Sequence, residues 1–210
     1  MLIIGARGHA VELLHVFENE WQPATVAFYD DVTPNMPEQL FGLYPILKAP
    51  HSAAEWLTTD NRFVLGVGGV RVRQMLTQKF QDLGGRLHSA IAASASISKH
   101  GCVLGEGLNV MQQALLSPNV HVGEGSLINT AASIHHDVVV GRYCEIAPGA
   151  RLLGGVHLGD FCFVGANATV LPRVRLGHHV VVGAGAVVNQ DVPDHTTVVG
   201  VPARALAKKL

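Results

Sequence analysis

Aromatic side chains make up only 6% of this sequence, and charged residues only 15%. A thick sandwich core needs bulky rings. This chain carries 23 glycines instead, a balance that suits tightly stacked coils. Neither sign of charge is in excess: 15 basic against 16 acidic residues leave no electrostatic case for nucleic acid or an anionic membrane. Three cysteines, Cys102, Cys144 and Cys162, form an odd set without metal-ligand spacing. That excludes a disulfide framework and fits a reducing compartment. No apolar run is long enough to span a bilayer, and Met1–Ile4 breaks at Gly5 too early for a signal peptide, so a cytoplasmic location is expected. Mean hydropathy is nevertheless +0.28, high for a soluble monomer, which implies many buried strands or a surface covered by sister subunits. The 210 residues suffice for one large domain or two small ones, with a substantial core.

What the second half does contain is a period of six. Stepping from Val110 through Leu116, Val122, Ile128, Ile134, Val140, Ile146 and onward to Val188 meets Val, Leu or Ile every time. Four residues after each runs a second series, Ala114, Val120, Ser126, Ala132, Val138, Cys144 and onward to Val192, all small or β-branched. An α-helix of period 3.6 drifts out of phase within two such steps. Antiparallel hairpins would alternate with period two, and no such alternation is present. The reading is a chain wound around a triangular prism, with one short strand and one corner per hexad. The branched aliphatics point inward, each contributing roughly 1.5–3 kcal/mol. The hexads are expected to run upstream through Ile91, Ile97 and Val103, with one residue of slippage before Val110. Glycines after the aliphatic (Gly123, Gly141, Gly159, Gly165, Gly177, Gly183) are expected to ease the turns.

Residues 1–90 read as a separate module. Leu2–Ile4 is a short strand, followed by the glycine-bearing turn Gly5-Ala6-Arg7-Gly8-His9 and an amphipathic run over Val11–Phe17. This is the strand, turn and helix that cradles a phosphate. A second strand, Val26–Tyr29, ends in Asp30-Asp31 about twenty residues on, where dinucleotide-type folds place an acid facing a ribose. A third, Phe63–Val67, ends in Gly68-Gly69 ahead of a helical run over Val72–Leu83. Such β-α units suggest a small parallel sheet that binds at its carboxyl edge; the bland alternative is a structural cap for the prism.

The six-residue pattern over residues 91–204 resembles the hexapeptide repeat of left-handed β-helix acyltransferases. With the first module, nearly the whole chain is similar to sialic-acid-type sugar O-acyltransferases and to N-acetyltransferases of nucleotide-linked 4-amino-4,6-dideoxy sugars. The resemblance implies an α/β module (1–90) that holds the nucleotide sugar. It is followed by an all-β left-handed parallel β-helix (91–210, with a C-terminal tail) that carries the chemistry. It also implies a homotrimer with acetyl-CoA bound between neighbouring prisms. By the motif match, Arg7, Gly8, His9, Asp30, Asp31 and Gly68 contact the nucleotide sugar. The family mostly has a small residue where Arg7 stands, and often Asn at Gly69 and Val70.

For the chemistry, the stretch Asn129-Thr130-Ala131-Ala132-Ser133-Ile134-His135-His136-Asp137 resembles the family's catalytic segment. His136 is then the general base, Asp137 orients it, and Asn129 supports them. The acceptor ammonium must lose a proton as its nitrogen attacks a thioester, and imidazole titrates near the working pH. At about eighteen residues per coil, Gly154 stacks above His136 and Gly155 above Asp137. These glycines are expected to clear space for the thioester, with their amides holding its carbonyl oxygen. Further acetyl-CoA contacts are expected at Glu145, Ala166, Gly183, Ala184 and Arg204. Glu145 stands where relatives often carry a second histidine. Some β-helix trimers bind zinc at subunit borders, usually with a His pair five residues apart; no pair in this half has that spacing, so no metal is expected. Cys144 and Cys162 lie in the small inward series, so direct attack rather than an acyl-enzyme is expected. The leading reading is N-acetylation of the 4-amino group of a nucleotide-linked sugar. O-acetylation of a sugar, or a non-catalytic solenoid subunit, are the alternatives.

Overall fold

Strands that are apolar on both sides can only sit in the middle of a sheet covered on both faces, and Leu2–Ile4, Ala27–Tyr29 and, after its exposed first residue, Arg62–Leu65 are such strands. In the computed structural model, which describes residues 1–17 and 25–206, they form the centre of a six-stranded sheet. In chain order its strands are β1 (Leu2–Ile4), β2 (Ala27–Tyr29), β3 (Gln39–Leu40), β4 (Tyr44–Leu47), β5 (Arg62–Leu65) and β6 (Arg86–Leu87). The spatial order is β3-β4-β2-β1-β5-β6, parallel except for β3 against β4. Ile3 pairs with Phe28 on one side and with Val64 on the other. Helix α1 (His9–Phe17) buries Ala10, Leu13, Leu14 and Phe17. Helix α2 (Pro50–Thr59), which begins with proline at a position where its missing N–H is harmless, buries Ala53 and Leu57. Helix α3 spans Val70–Asp82, two residues earlier than its apolar run suggests. Met1–Ala90 and Ile91–Leu210 are two compact units; residues 207–210, the end of the expected tail, lie outside the described residues.

From Ala90 onward two-residue strands succeed one another and build three parallel walls. The first wall contains Asn109–Val110, Leu127–Ile128, Glu145–Ile146, Phe163–Val164 and Val181–Val182. The second contains Ser96–Ile97, Leu115–Leu116, Ser133–Ile134, Arg151–Leu152 and Thr169–Val170. The third contains Val103–Leu104, His121–Val122, Val139–Val140, His157–Leu158 and Arg175–Leu176. Each strand pairs with the one eighteen residues on, as Ile128 does with Ile146. The aliphatic and small series fill the interior together, from Leu108 to Val198.

Three expectations need correction. The slippage lies between Ile97 and Leu104: nineteen residues separate Ser96 from its partner Leu115, but eighteen separate Val103 from His121. Leu104 therefore packs on the core, while Val103 points outward and is 58% exposed. Near the other end the repeat shortens, and Val192 pairs with Leu176, taking an aliphatic place rather than a small one. Nor do the glycines after the aliphatics ease the turns. From Gln113 to Gly185 the residue before each small inward one has φ between 51° and 71°, so the left-handed turn residue is variously Gln113, Asn119, Asp137, Tyr143, Gly155 or Arg173. The column Gly105, Gly123, Gly141, Gly159, Gly177 serves close approach instead: a Cβ on Gly123 or Gly141 would lie 2.6 Å from the backbone of the next coil. Among the described residues, no helix is long and apolar enough to cross a membrane.

Candidate active site

The corner between the second and third walls carries Pro118-Asn119, then His136-Asp137, then Gly154-Gly155, then Pro172-Arg173, one pair per coil. His136 Nδ1 lies 2.8 Å from Asp137 Oδ2, which leaves Nε2 as the nitrogen that faces away from the acid. The other oxygen, Asp137 Oδ1, accepts a hydrogen bond from Asn119 Nδ2 at 3.0 Å. These two contacts, His136 first, hold the Asp137 carboxyl below its ordinary range. The side chains of His136 and Asp137 are 66% and 56% exposed, open to an incoming substrate.

Gly154 sits beside the imidazole: a Cβ there would lie 2.6 Å from both Cε1 and Nε2 of His136. Its missing side chain therefore seats the histidine ring, rather than clearing room for a thioester as expected. Gly155 is not free to serve as the expected oxyanion donor, because its N–H already donates to the His136 carbonyl at 3.0 Å. The Gly154 N–H differs. At the corner between the third and first walls, the equivalent amide of Arg142 donates to Asp160 Oδ1 and that of His178 to Asp194 Oδ1, each supplied by the following coil. Above Gly154 stands Pro172, which offers no side-chain acceptor. Among the described residues the Gly154 amide has no partner.

The remaining expected residues are spread over the prism. Asn129 lies one corner earlier, with Oδ1 accepting the Thr130 N–H at 2.7 Å; Asn119, not Asn129, is the amide that holds Asp137 within the chain. Glu145 is on the outward side of the first wall, across the prism from His136, between Leu127 and Phe163. Gly183, Ala166 and Ala184 belong to the corner between the first and second walls. Arg204 follows in the closing antiparallel strand, with Nη1 on the Ala203 carbonyl. One chain thus presents the base and the Gly154 amide on one corner, and the other expected coenzyme contacts elsewhere. Cys144 and Cys162 are fully buried, out of reach of a substrate, which suits packing and not nucleophilic attack. Among the described residues no cluster of ligands could hold a metal ion.

In the first unit a cavity of about 310 Å³ opens at the carboxyl ends of β1, β2 and β5. Arg7, Asp30 and Asp31 line it; Gly8, His9 and Gly68 do not. Gly5 and Gly66 shape it. Gly5 has φ 103° against the Gly66 carbonyl, and a Cβ on Gly66 would lie 2.7 Å from that of Ala10. Gly8 instead caps α1, its carbonyl accepting from Val11 and Glu12. His9, mostly buried beside Glu12 and the Arg73 cation, has its pKa pushed down, chiefly by that burial. Both oxygens of Asp30 are engaged by the turn, with Val32 and Thr33. Asp31 bonds Tyr29 and Lys79 at 2.7 Å each. Burial pushes Asp31 up, but Lys79 and Tyr29 more than offset it, and its carboxyl lies below the ordinary range. The Lys79 ammonium neutralises an acid at the cavity rim, which lowers repulsion toward an anionic ligand. Lys79 lies in α3, far along the chain, and nothing in the sequence pattern pointed to it.

Comparison with known proteins gives a consistent picture. The bacterial transferase hexapeptide family (six repeats) matches residues 119–154 and 155–190, and the PglD N-terminal domain matches residues 1–80. No curated protein matches significantly. Among solved structures, a histidine-to-asparagine variant of perosamine N-acetyltransferase from Caulobacter crescentus, in complex with CoA and GDP-perosamine, is 31% identical. The match covers 99% of this chain and 96% of that one, with a TM-score of 0.88. The acetyltransferase domain of PglB from Neisseria gonorrhoeae, in complex with acetyl coenzyme A, is 27% identical over 98% of both chains, with a TM-score of 0.86. WeeI from Acinetobacter baumannii is 27% identical over the same shares, with a TM-score of 0.89. With that likeness spanning both units, the chain belongs to the hexapeptide-repeat, left-handed β-helix family of acetyl-CoA-dependent sugar N-acetyltransferases.

Proposed function

We propose that the protein transfers the acetyl group of acetyl-CoA to the 4-amino group of a nucleotide-linked 4-amino-4,6-dideoxy sugar, with His136 as general base. The observation that carries this is the His136–Asp137 pair seated against Gly154. It occurs in a chain similar throughout to an enzyme in complex with CoA and GDP-perosamine. After the acceptor ammonium releases one proton to solvent, the amine nitrogen attacks the thioester carbonyl carbon, forming the C–N bond. His136 Nε2 removes a second proton from that nitrogen as positive charge develops on it. The carbonyl π electrons move to oxygen, which in this reading accepts a hydrogen bond from the Gly154 N–H. The intermediate collapses with cleavage of the C–S bond, and the departing thiolate takes the proton from His136. The products are the amide and the free thiol of CoA.

In this reading the first unit holds the nucleotide. The amino end of α1 and Arg7 suit a diphosphate, and the cavity beside Asp31 receives the nucleoside. A homotrimer completes the coenzyme site. The contacts expected at Glu145, Ala166, Gly183, Ala184 and Arg204 lie off the His136 corner, so they serve a base on a neighbouring copy. Asn129 belongs to the same set.

The test is thiol release from acetyl-CoA with 4-amino-4,6-dideoxyhexoses carried on GDP, UDP and dTDP, with His136→Ala in parallel. Turnover on one nucleotide that falls at least about 10²-fold in the variant supports the proposal and names the nucleotide. Turnover confined to hydroxyl acceptors overturns it in favour of O-acetylation. Failure to bind acetyl-CoA at all makes the chain a non-catalytic solenoid.

A further inference from the structure

The irregular corner of the early prism lies two coils below the base, directly beneath Asn119. The extra residue of the first coil falls in Ser98–Gly101, and the His100 carbonyl receives the Asn119 N–H at 3.0 Å. Gly101, at φ 69°, has no side chain where Asn119 needs room: a Cβ there would lie 2.1 Å from Asn119 Oδ1. With its oxygen seated over Gly101, the amide turns its nitrogen toward the next coil, where it meets Asp137 Oδ1 at 3.0 Å. Asn119 and Asp137 are both left-handed turn residues, at φ 60° and 62°. The stack Gly101, Asn119, Asp137 is therefore fixed by backbone as well as side chain.

An asparagine over a glycine occurs once more, where Asn167 Oδ1 sits over Gly149, so the arrangement serves turns in general. Only at Asn119, among the described residues, does the structure give the amide nitrogen a carboxylate. That carboxylate has its other oxygen on His136. An exposed acid–imidazole contact is weak in water and free to rearrange. A second fixed bond on the acid removes that freedom, and a small misplacement of a catalytic group costs up to about 10² in rate.

Resting on the reading of His136 as base, we propose that Asn119 is a positioning residue of the reaction: its amide, oriented by Gly101, clamps Asp137 so that Nε2 of His136 faces the acceptor. The other titratable or charged groups on the neighbouring turns and strand ends of this corner are Lys99, His100, Cys102, His121, His135, His157 and Arg173. They are unchanged by substitution at position 119, so a difference between variants reports on Asn119 alone.

The experiment compares wild type, His136→Ala, Asn119→Ala and Asn119→Asp in the thiol-release assay across pH, with Tm recorded for each. Asn119→Ala is expected to lower kcat about tenfold, with both KM values within twofold. Asn119→Asp brings a second negative charge against Asp137, which favours the protonated imidazole, and the acid limb of kcat/KM moves up by roughly one pH unit. Gly101→Ala, which displaces the amide without removing it, is expected to reproduce the kcat loss. If His136→Ala is inactive while the acid limb of Asn119→Asp and the kcat of Asn119→Ala stay at wild-type values, the positioning role is overturned and the base stands. A lowered Tm with unchanged kcat and pH profile makes Asn119 a turn residue only. An active His136→Ala removes both readings together.

Discussion

Two corners of the same prism use one backbone for opposite ends. At the corner between the third and first walls, the left-handed turn residues Tyr143, Phe161, His179 and His195 stack ring on ring, with centroids 5.8, 5.0 and 4.6 Å apart. Beside them Arg142 bridges to Asp160, and the amides of Arg142, Asp160 and His178 each find a side chain on the next coil. The glycines that precede them bring the coils into backbone contact. At the corner of His136 the same places hold Asn119, Asp137, Gly155 and Arg173 for the rings, and His135 and Leu153 for the glycines. The polar places there hold proline or glycine above the base, so the next coil offers its amides no acceptor. A corner that satisfies itself is structural; on the proposed reading, the corner deprived of its last partners receives the substrate.

The largest effect should fall on the sealed corner. In Gly141→Ala the new Cβ would press on the Gly159 backbone at 2.6 Å, which cannot yield as a side chain can. A loss of about 3 kcal/mol is expected in denaturant unfolding, with kcat of whatever remains folded near wild type. Gly154→Ala should invert that pattern. Its Cβ meets the far end of a rotatable imidazole, so the unfolding midpoint should barely move while kcat falls about 10²-fold. Equal losses of stability at both glycines would erase the distinction between the corners.

Tyr143→Ala removes a ring that is 6% exposed and packs over Gly125. It should destabilise by roughly 3 kcal/mol without changing KM for either substrate. The smallest effect belongs to Arg142→Ala, a 62% exposed partner of Asp160, with Tm lowered by no more than about 2 °C. Burial pushes the Asp160 carboxyl up, but Arg142 more than offsets it, and the folded value lies below the ordinary one. A depressed carboxylate contributes stability above its unfolded value near ~3.9 and loses it as pH falls through the folded value. The Tm difference between wild type and Arg142→Ala should therefore be present at pH 7 and be lost as the pH falls below the ordinary carboxylate range and through the folded value. A difference that persisted there would mean that Arg142 acts by packing.

The prism was legible because its code is chemical and strictly periodic: a buried aliphatic every sixth place from Val110 to Val188 leaves no other phase. The turns were not, because residues of many types can take a left-handed φ at about 1–2 kcal/mol, and the exposed Gln113 and Arg173 and the buried Tyr143 all do. Val103 and Leu104 are both aliphatic, so composition alone could not say which one faces in. His136 and Asp137 were legible as neighbours in the chain. Asn119 was not, since it reaches Asp137 across a coil, although counting eighteen residues back from Asp137 finds it. In the first unit, Asp30 looked like a ribose acid, but acids at turn starts also cap their own backbone, which Asp30 does. Helix α2 and strands β3 and β4 gave no clear apolar period and passed unread.

The nineteen-residue first coil bears on how such a chain can change its length. An added residue inside a wall would shift every later strand by one place and turn aliphatics outward along the rest of the chain. At Ser98–Gly101 the surplus is absorbed in the corner, and Leu104 resumes the pattern at once. Corners are thus the places where this architecture accepts insertions, and the one accepted here lies beneath Asn119, two coils below the histidine.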